Sequence, residues 1–293
     1  MSSVEARIAG AFVGACLDEL EAPKPGNVHV YSAGHGWTIE DFRRSAEAAA
    51  PSIARSDASV GARIFGAVEA THRAIGHNTN LGIVLLCAPL ARAAELKAVG
   101  MRAAIASVLS SLNVQDADLA YRAIALAAPG GLGRSGRYDV FEPATVTLLE
   151  AMSEAAPRDS IARQYATNFS DVFGLGAPLL REACQRWRRA PKAVALAVHL
   201  GFLAAFPDTH IQRKHGFEAA AAVQKEAAPL YALAQKVDDP TSLFPKILAF
   251  DESLKRRGLN PGSSADLTVA TLFAGRLAGA GLPNALQSQR NND

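Results

Sequence analysis

The chain has 293 residues, of which 49% are hydrophobic, enough to build a substantial buried core. Its 30 lysines and arginines nearly balance 28 aspartates and glutamates, giving a formal net charge of +2. This balance predicts no nucleic-acid partner, because nucleic-acid-binding domains carry a strongly basic surface. The two most apolar stretches are shorter than the ~20 residues that span a bilayer, so no membrane partner is expected.

The cysteines and the N-terminus indicate a cytoplasmic protein. Cys16, Cys87 and Cys184 are far apart and form no C-x-x-C pair, which predicts reduced, buried thiols. Charged residues flank the first apolar segment, so a first helix is expected there rather than a secretory signal. No feature of the sequence indicates an oligomeric state.

Apolar residues recur at helical spacing along nearly the whole chain, and no segment alternates as a β-strand would. We therefore predict an all-α fold: one globular domain of about a dozen helices over residues 1–286, followed by a frayed polar tail at 287–293. Thr38, Asp159 and Ser264 are the expected N-caps. In chain order the predicted helices span 4–20, 38–50, 60–75, 81–99, 101–112, 117–127, 142–155, 159–173, 176–188, 191–206, 215–226, 242–257 and 264–280.

Four polar segments rich in glycine, proline or asparagine lie next to apolar helices. The first is Pro23-Lys24-Pro25-Gly26-Asn27, in which the prolines fix the backbone and Gly26 allows a close approach. Lys24 is a candidate phosphate ligand, with Gly26 and Asn27 beside it. The alternative is an ordinary turn with an exposed lysine.

The second segment, residues 77–82, stands where an apolar helix is predicted to begin. Free backbone N–H groups there, with the side chains of Asn78, Thr79 and Asn80, can hold an anion. The alternative is that Thr79 or Asn80 simply caps the helix. Glu69, with Arg63 and His72, lies on the preceding helix and either faces the same cleft or is solvated.

The third segment, residues 206–216, is the densest polar cluster in the chain. Asp208 is a candidate Mg²⁺ ligand or proton acceptor, and Arg213 and Lys214 are candidate ligands of phosphate oxygens. The alternative is a solvated loop where the apolar helix before Pro207 ends.

The fourth segment, residues 260–267, is a turn that leads into the last predicted helix. Ser263 and Ser264 can bind an anion together with free N–H groups, and Asp266 lies in the first turn. The alternative is a helix cap assisted by that carboxylate. A glycine-rich stretch at 129–137 is a candidate lid, but it lacks the spacing of a P-loop and no strand precedes it.

Taken in order, these segments resemble the triphosphoribosyl-dephospho-coenzyme A synthase family over residues 19 to about 275. The matching positions are Glu19, Pro23–Gly26, Gly66, Glu69, Asn78–Asn80, Gly82, Asp208–Thr209, Arg213–Lys214, Gly216 and Asn260–Leu267. The usual pattern has Leu-Val-Asp where this chain has Asn27-Val28-His29, and Asn-Thr-His-Lys-Gly where it has residues 78–82. In this the chain is similar to a divergent branch found in archaea and one-carbon-metabolising bacteria.

The resemblance implies a transferase that moves the triphosphoribosyl part of ATP to the ribose 2′-hydroxyl of 3′-dephospho-coenzyme A and releases adenine. Mg²⁺ would neutralise the triphosphate, and small-molecule nucleotides would be the partners. The roles implied are phosphate binding by Lys24, Arg213 and Lys214, substrate orientation by Asn78 and Asn80, and metal or acid–base roles for Glu69, Asp208 and Asp266, with Glu69 and Asp208 as metal ligands.

Three alternatives remain open from the sequence. A related transferase could serve another cofactor pathway, such as a pterin-type one. A hydrolase could cleave the same N-glycosidic bond with water as the acceptor. The third interpretation is a non-catalytic helical binding protein, in which the four segments are only caps and turns.

Overall fold

The computed structural model describes residues 2–32, 36–96, 100–187 and 190–279. These ranges hold fourteen α-helices and no β-strand beyond an isolated bridge between His29 and Ser32, which confirms the all-α prediction. The helices are α1 (Ser3–Glu21), α2 (Ile39–Ala54), α3 (Val60–Ile75), α4 (Leu81–Ala93), α5 (Met101–Ser110), α6 (Val114–Ala127), α7 (Leu148–Ala155), α8 (Ser160–Ala166), α9 (Ala177–Arg186), α10 (Pro191–Ala205), α11 (Thr209–His215), α12 (Phe217–Ala234), α13 (Phe244–Arg256) and α14 (Gly262–Leu277).

The chain divides into two compact units. Unit 1 comprises Met1–Val13 and Asp41–Asp171, and unit 2 comprises Gly14–Glu40 and Val172–Asp293. The single domain predicted over residues 1–286 stays a prediction, and the predicted tail at 287–293 lies outside the described residues.

Unit 1 is built on close packing of α3 against α6 and of α3 against α4. Gly61 permits the first contact, since a Cβ there would lie 2.6 Å from the Asp116 Cα atom. Asp116 accepts a hydrogen bond of 2.8 Å from the Gly61 N–H and also completes a capping box with Asn113 at the start of α6. One carboxylate therefore starts α6 and ties it to α3.

Helix α4 carries an internal proline, and a tyrosine compensates for it. Pro89 has no N–H, so the Leu85 carbonyl loses its normal partner four residues later. The Tyr165 hydroxyl donates to that carbonyl at 2.6 Å from α8, and the Tyr165 side chain is buried. The helix therefore passes through the core of unit 1 with this carbonyl satisfied.

Unit 2 surrounds α10, whose residues from Ala193 to Leu203 are all buried, with α9, α12 and α14. Leu203 joins a core cluster with Ile211, Phe250 and Leu254 from the neighbouring helices. Within the described ranges no single helix is long and apolar enough to cross a membrane, while α10 and α11, bent by 53° at their junction, pass that test only as a pair.

Several predicted boundaries were wrong for local reasons. The helix expected from residue 142 begins at Leu148, because Thr147 and Glu150 form a capping box. The helix expected over 159–173 ends at Ala166, since Asn168 and Phe169 have positive φ angles, and a short π-helix follows at Val172–Gly176. Asp159 is confirmed as an N-cap, whereas α14 begins at Gly262, ahead of the expected cap Ser264.

The cysteine prediction holds in part. All three cysteines are free thiols, and Cys16 and Cys87 are buried as expected, whereas Cys184 is only half-buried.

Candidate active site

The first polar segment follows directly after α1, and its lysine is fully buried. The Lys24 ammonium forms an ion pair with Glu19, one turn earlier, and donates a hydrogen bond of 3.1 Å to the Asn27 side-chain oxygen. The Asn27 amide in turn donates to the Asn260 side chain at 2.9 Å. The first and fourth segments are therefore in direct contact in unit 2, and Lys24 is not the exposed lysine of the alternative interpretation.

Each charge of the buried Glu19–Lys24 pair depends on the other to remain ionised. Burial lowers the pKa of Lys24 and raises the pKa of Glu19, while their mutual attraction opposes both shifts. The Asp266 carboxylate also favours the charged form of Lys24. The Lys24 ammonium is thus paired with Glu19 and is also stabilised by the charge of Asp266.

Gly26 allows the turn to lie against the fourth segment. Its φ angle is +78°, and a Cβ there would lie 2.7 Å from the Leu259 carbonyl oxygen and 2.8 Å from the Pro261 ring. Both the backbone conformation and the close approach therefore require glycine.

We expect Gly26→Ala to destabilise the protein by about 2–4 kcal/mol, through the left-handed conformation and the contact with rigid backbone. Urea denaturation measures this change. Gly10→Ala is the matched control, because Gly10 lies in α1 with no atom within 4 Å of an added Cβ. That change should raise stability by about 1 kcal/mol. Equal midpoints for the two variants would contradict the packing described here.

Asp251 on α13 contacts two residues of this turn, Gly26 and His29, and it was not identified from the sequence. Its carboxylate accepts a hydrogen bond of 2.8 Å from the Gly26 N–H and contacts the His29 Nε2 atom at 3.3 Å. Lys255, one turn later, contacts Asp251 at 3.0 Å and donates to the Ser32 carbonyl. Although burial alone would raise the pKa of Asp251, His29 and Lys255 hold it below its ordinary value.

His29 is oriented by its other ring nitrogen. Nδ1 accepts a hydrogen bond of 3.3 Å from the Tyr31 N–H, which places the proton of a neutral ring on Nε2, facing Asp251. Burial lowers the pKa of His29, and Asp251 opposes that shift. The turn from Lys24 to Ser32 is therefore anchored at three points by α13.

Asp208 joins the third segment to the fourth. One oxygen caps α11 by accepting from the N–H groups of His210 and Ile211, at 2.9 and 3.1 Å. The other accepts from both the backbone N–H and the hydroxyl of Ser264, each at 2.8 Å. Burial raises the pKa of Asp208, and these hydrogen bonds act against that shift.

The third segment is a helix, where sequence analysis considered a solvated loop. Beside the Asp208 contacts, the hydroxyls of Thr209 and Ser263 lie 2.9 Å apart. Gly262 lets α14 approach α11, because a Cβ there would lie 2.3 Å from the His210 ring. Arg213 and Lys214 lie in the last turn of α11, and burial and the charge of Arg213 lower the pKa of Lys214.

Residues of the second segment and Glu69 belong to unit 1. Asn78 accepts from the N–H groups of Asn80 and Leu81, so it performs the capping that was expected of Thr79 or Asn80. Asn80 instead donates to Thr71 at 3.0 Å, and the hydroxyls of Thr79 and Ser45 lie 2.5 Å apart. Asn80 is buried, and its side-chain amide is bound within this polar network.

Three residues of α3, expected either to face the same cleft as the second segment or to be solvated, differ in their surroundings. Glu69 is exposed and contacts Arg73 at 3.1 Å, and His72 is also exposed. Arg63 is buried and contacts Glu95 at 2.7 Å. The exposure of Glu69 and His72 agrees with the alternative that these residues are solvated, whereas Arg63 is bound inside unit 1.

Site residues from three of the four segments thus lie together in unit 2: Lys24, Gly26, Asn27, Asp208, Ser263, Ser264 and Asp266, with Arg213 and Lys214 on the same α11 that Asp208 caps. Those of the second segment, with Glu69, lie in unit 1. The meeting of all four segments around one ligand stays a prediction.

The metal-binding role predicted for Asp208 and Glu69 stays a prediction, and the structure shows what each carboxylate contacts. All four acceptor positions of the Asp208 carboxylate are occupied by N–H or O–H donors, and Glu69 is on the surface of unit 1. In the part of the chain that the structure describes, no three His, Cys, Asp or Glu side chains are grouped to hold an ion.

The chain is thus an all-α protein with charged side chains buried at the ends of its helices. The Glu19–Lys24 ion pair lies at the end of α1, and the Asp208 carboxylate joins α11 to α14. A family model, CitG, described as ATP:dephospho-CoA triphosphoribosyl transferase, matches residues 5–284. The chain belongs to this family, and it is therefore a transferase.

One solved structure supports the same assignment. A crystal structure from Archaeoglobus fulgidus, of a protein assigned as a triphosphoribosyl-dephospho-coA synthase, is similar with a TM-score of 0.61 and 25% sequence identity. The match covers 78% of this chain and 95% of that one. No curated protein matches the chain.

Proposed function

We propose that this chain is a cytoplasmic enzyme that transfers the triphosphoribosyl group of ATP to a hydroxyl of 3′-dephospho-coenzyme A and releases adenine. The observation that carries the proposal is the match of the transferase family to nearly the whole chain. The contacts among three motif segments in unit 2 support it, since Lys24, Asp208 and Asp266 belong to those segments.

In this reaction the bond between ribose C1′ and the adenine nitrogen breaks, and a bond from C1′ to the acceptor oxygen forms. The acceptor hydroxyl loses a proton and the departing base gains one. Positive charge develops at C1′, so a nearby carboxylate stabilises the transition state or takes the hydroxyl proton. The triphosphate travels intact, which agrees with the lack of a P-loop.

Among the carboxylates of unit 2, we assign this role to Asp266. Glu19 is paired with Lys24, Asp208 accepts four hydrogen bonds, and Asp251 is buried between Gly26, His29 and Lys255. Asp266 is only half-buried and lies on α14, four residues after Gly262, where its charge acts on Lys24. Asn78 and Asn80 stay candidates for substrate orientation, and Glu69 stays a candidate for a metal or acid–base role. Mg²⁺ enters with ATP as part of the substrate.

Product analysis tests the function. The protein is incubated with ATP and Mg²⁺, with and without 3′-dephospho-coenzyme A, and free adenine is measured by chromatography. Adenine released only with this acceptor supports the proposal. Release without any acceptor would identify a hydrolase, and release only with another acceptor, such as a pterin, would identify a different transferase; either result contradicts the proposal.

Arg213 and Lys214 are proposed to bind the triphosphate. A charge-assisted hydrogen bond is worth about 1.5–3 kcal/mol, so each alanine substitution should raise the KM for ATP by about tenfold or more. Arg256→Ala is the matched control, because this exposed arginine pairs with Glu252 on the surface of α13. If a variant with both Arg213→Ala and Lys214→Ala keeps the wild-type KM, the two cations only stabilise the end of α11.

A further inference from the structure

His199 stands in the middle of α10, whose neighbouring residues from Ala193 to Leu203 are otherwise apolar or glycine and all buried. Its side chain has no exposed surface, and neither ring nitrogen has a hydrogen-bond partner among the described residues. Buried polar groups in folded proteins nearly always have a partner, so an exception calls for a physical reason.

The surroundings of His199 are the same turn that carries Lys24. Lys24, His29 and Asp251 all act on the ring electrostatically, and the Pro25 carbonyl lies close enough to favour a ring proton without a well-aligned hydrogen bond. Burial, with the charge of Lys24, lowers the pKa of His199 to about 3. The ring is therefore neutral at any working pH, with one donor and one acceptor nitrogen.

An imidazole in this position makes the folded state less stable. Each buried nitrogen gives up its hydrogen bonds to water and gains none in return, whereas an apolar side chain of similar size would lose nothing. Helix α10 already packs through apolar residues on every side, so the fold has no need of a polar group here. Such a locally unfavourable residue is typical of a functional site.

Resting on the proposed function, we propose that His199 is a positioning residue of the transferase: its ring N–H aligns on the Pro25 carbonyl when the turn that carries Lys24 and Asn27 engages the substrate. Catalytic hydrogen bonds are often poorly aligned in the free enzyme and tighten in the substrate complex. Because the bond forms only in that complex, it favours the reaction and contributes nothing to the stability of the free protein.

The test replaces His199 with methionine, which is apolar and adaptable in shape. We expect a melting temperature about 2–4 °C above that of the wild type, since the unsatisfied nitrogens are removed. The kcat for adenine release should fall about five- to tenfold, because the transition state loses the free energy of one neutral hydrogen bond. His199→Gln, which keeps a donor and an acceptor, should recover part of the kcat and lose the gain in melting temperature.

Leu196→Met serves as the control for packing, because Leu196 is buried on the same helix. It should leave kcat unchanged and should not raise the melting temperature. The kcat of His199→Gln should show the wild-type dependence on pH, since the ring stays neutral; loss of a titration limb would mean proton transfer and overturn the positioning role.

A His199→Met protein with full kcat, a lowered melting temperature or no folded state would equally overturn the proposal. Failure of the proposed function gives a different result. In that case the wild-type protein itself shows no acceptor-dependent release of adenine.

Discussion

Replacing Lys24 with methionine should destabilise the protein by about 3–5 kcal/mol, because it leaves the buried Glu19 carboxylate without its partner. The Lys24 side chain is 0% exposed and that of Glu19 5% exposed, so water cannot compensate for the lost charge. Urea denaturation and thermal melting measure the loss. Adenine release should also disappear, since the turn that contacts Asn260 depends on this lysine.

Two further variants isolate the reason for the effect. Glu19→Leu combined with Lys24→Met removes both charges and should recover most of the lost stability. Lys192→Met removes a half-exposed lysine that lies 3.8 Å from Glu21 and should change stability by only about 0–1 kcal/mol. If the Lys24 single variant melts like the wild type, Glu19 is protonated in the native protein and the ion pair is not a structural element.

The second large effect is expected for Asp208→Ala. The change removes the N-cap of α11, worth about 0.5–2 kcal/mol, and leaves the buried Ser264 N–H without an acceptor, at about 1–3 kcal/mol more. The melting temperature should fall accordingly, and raising the Mg²⁺ concentration should not restore activity.

Asp239→Ala provides the comparison. Asp239 is exposed and caps a short 3₁₀ helix through Thr241, without a second buried partner, so its loss should cost about 1 kcal/mol or less. A folded, normally melting Asp208→Ala protein without activity would instead support the catalytic or metal-binding role that the sequence predicts for this residue.

The helices of this chain could be predicted because apolar periodicity is a local property. Helix α11 was missed because it has only seven residues, most of them polar, and its stability depends on Asp208, whose second oxygen binds Ser264, 56 positions later. Contacts of that separation leave no local pattern. The burial of Arg63 likewise depends on a residue from another part of the chain, since its guanidinium contacts Glu95.

The candidate site, too, could be predicted from the sequence only in part. Segment composition identified the turn at Lys24 and its partners at 260–267, but not the direction in which the lysine points. Asp251 resembles a surface residue in sequence, since it stands four positions before Lys255 on an amphipathic helix, and only its contact with Gly26 across 225 positions makes it an anchor. His199 had one visible signal, a single imidazole within an otherwise apolar helix.

The bond between Tyr165 and the Leu85 carbonyl has a consequence for how the sequence can change over time. The tyrosine hydroxyl is useful at that point because position 89 is proline. A relative with an N–H at position 89 restores the ordinary helical bond and no longer needs the hydroxyl. The two positions should therefore vary together, with loss of the tyrosine tolerated only after the proline is gone.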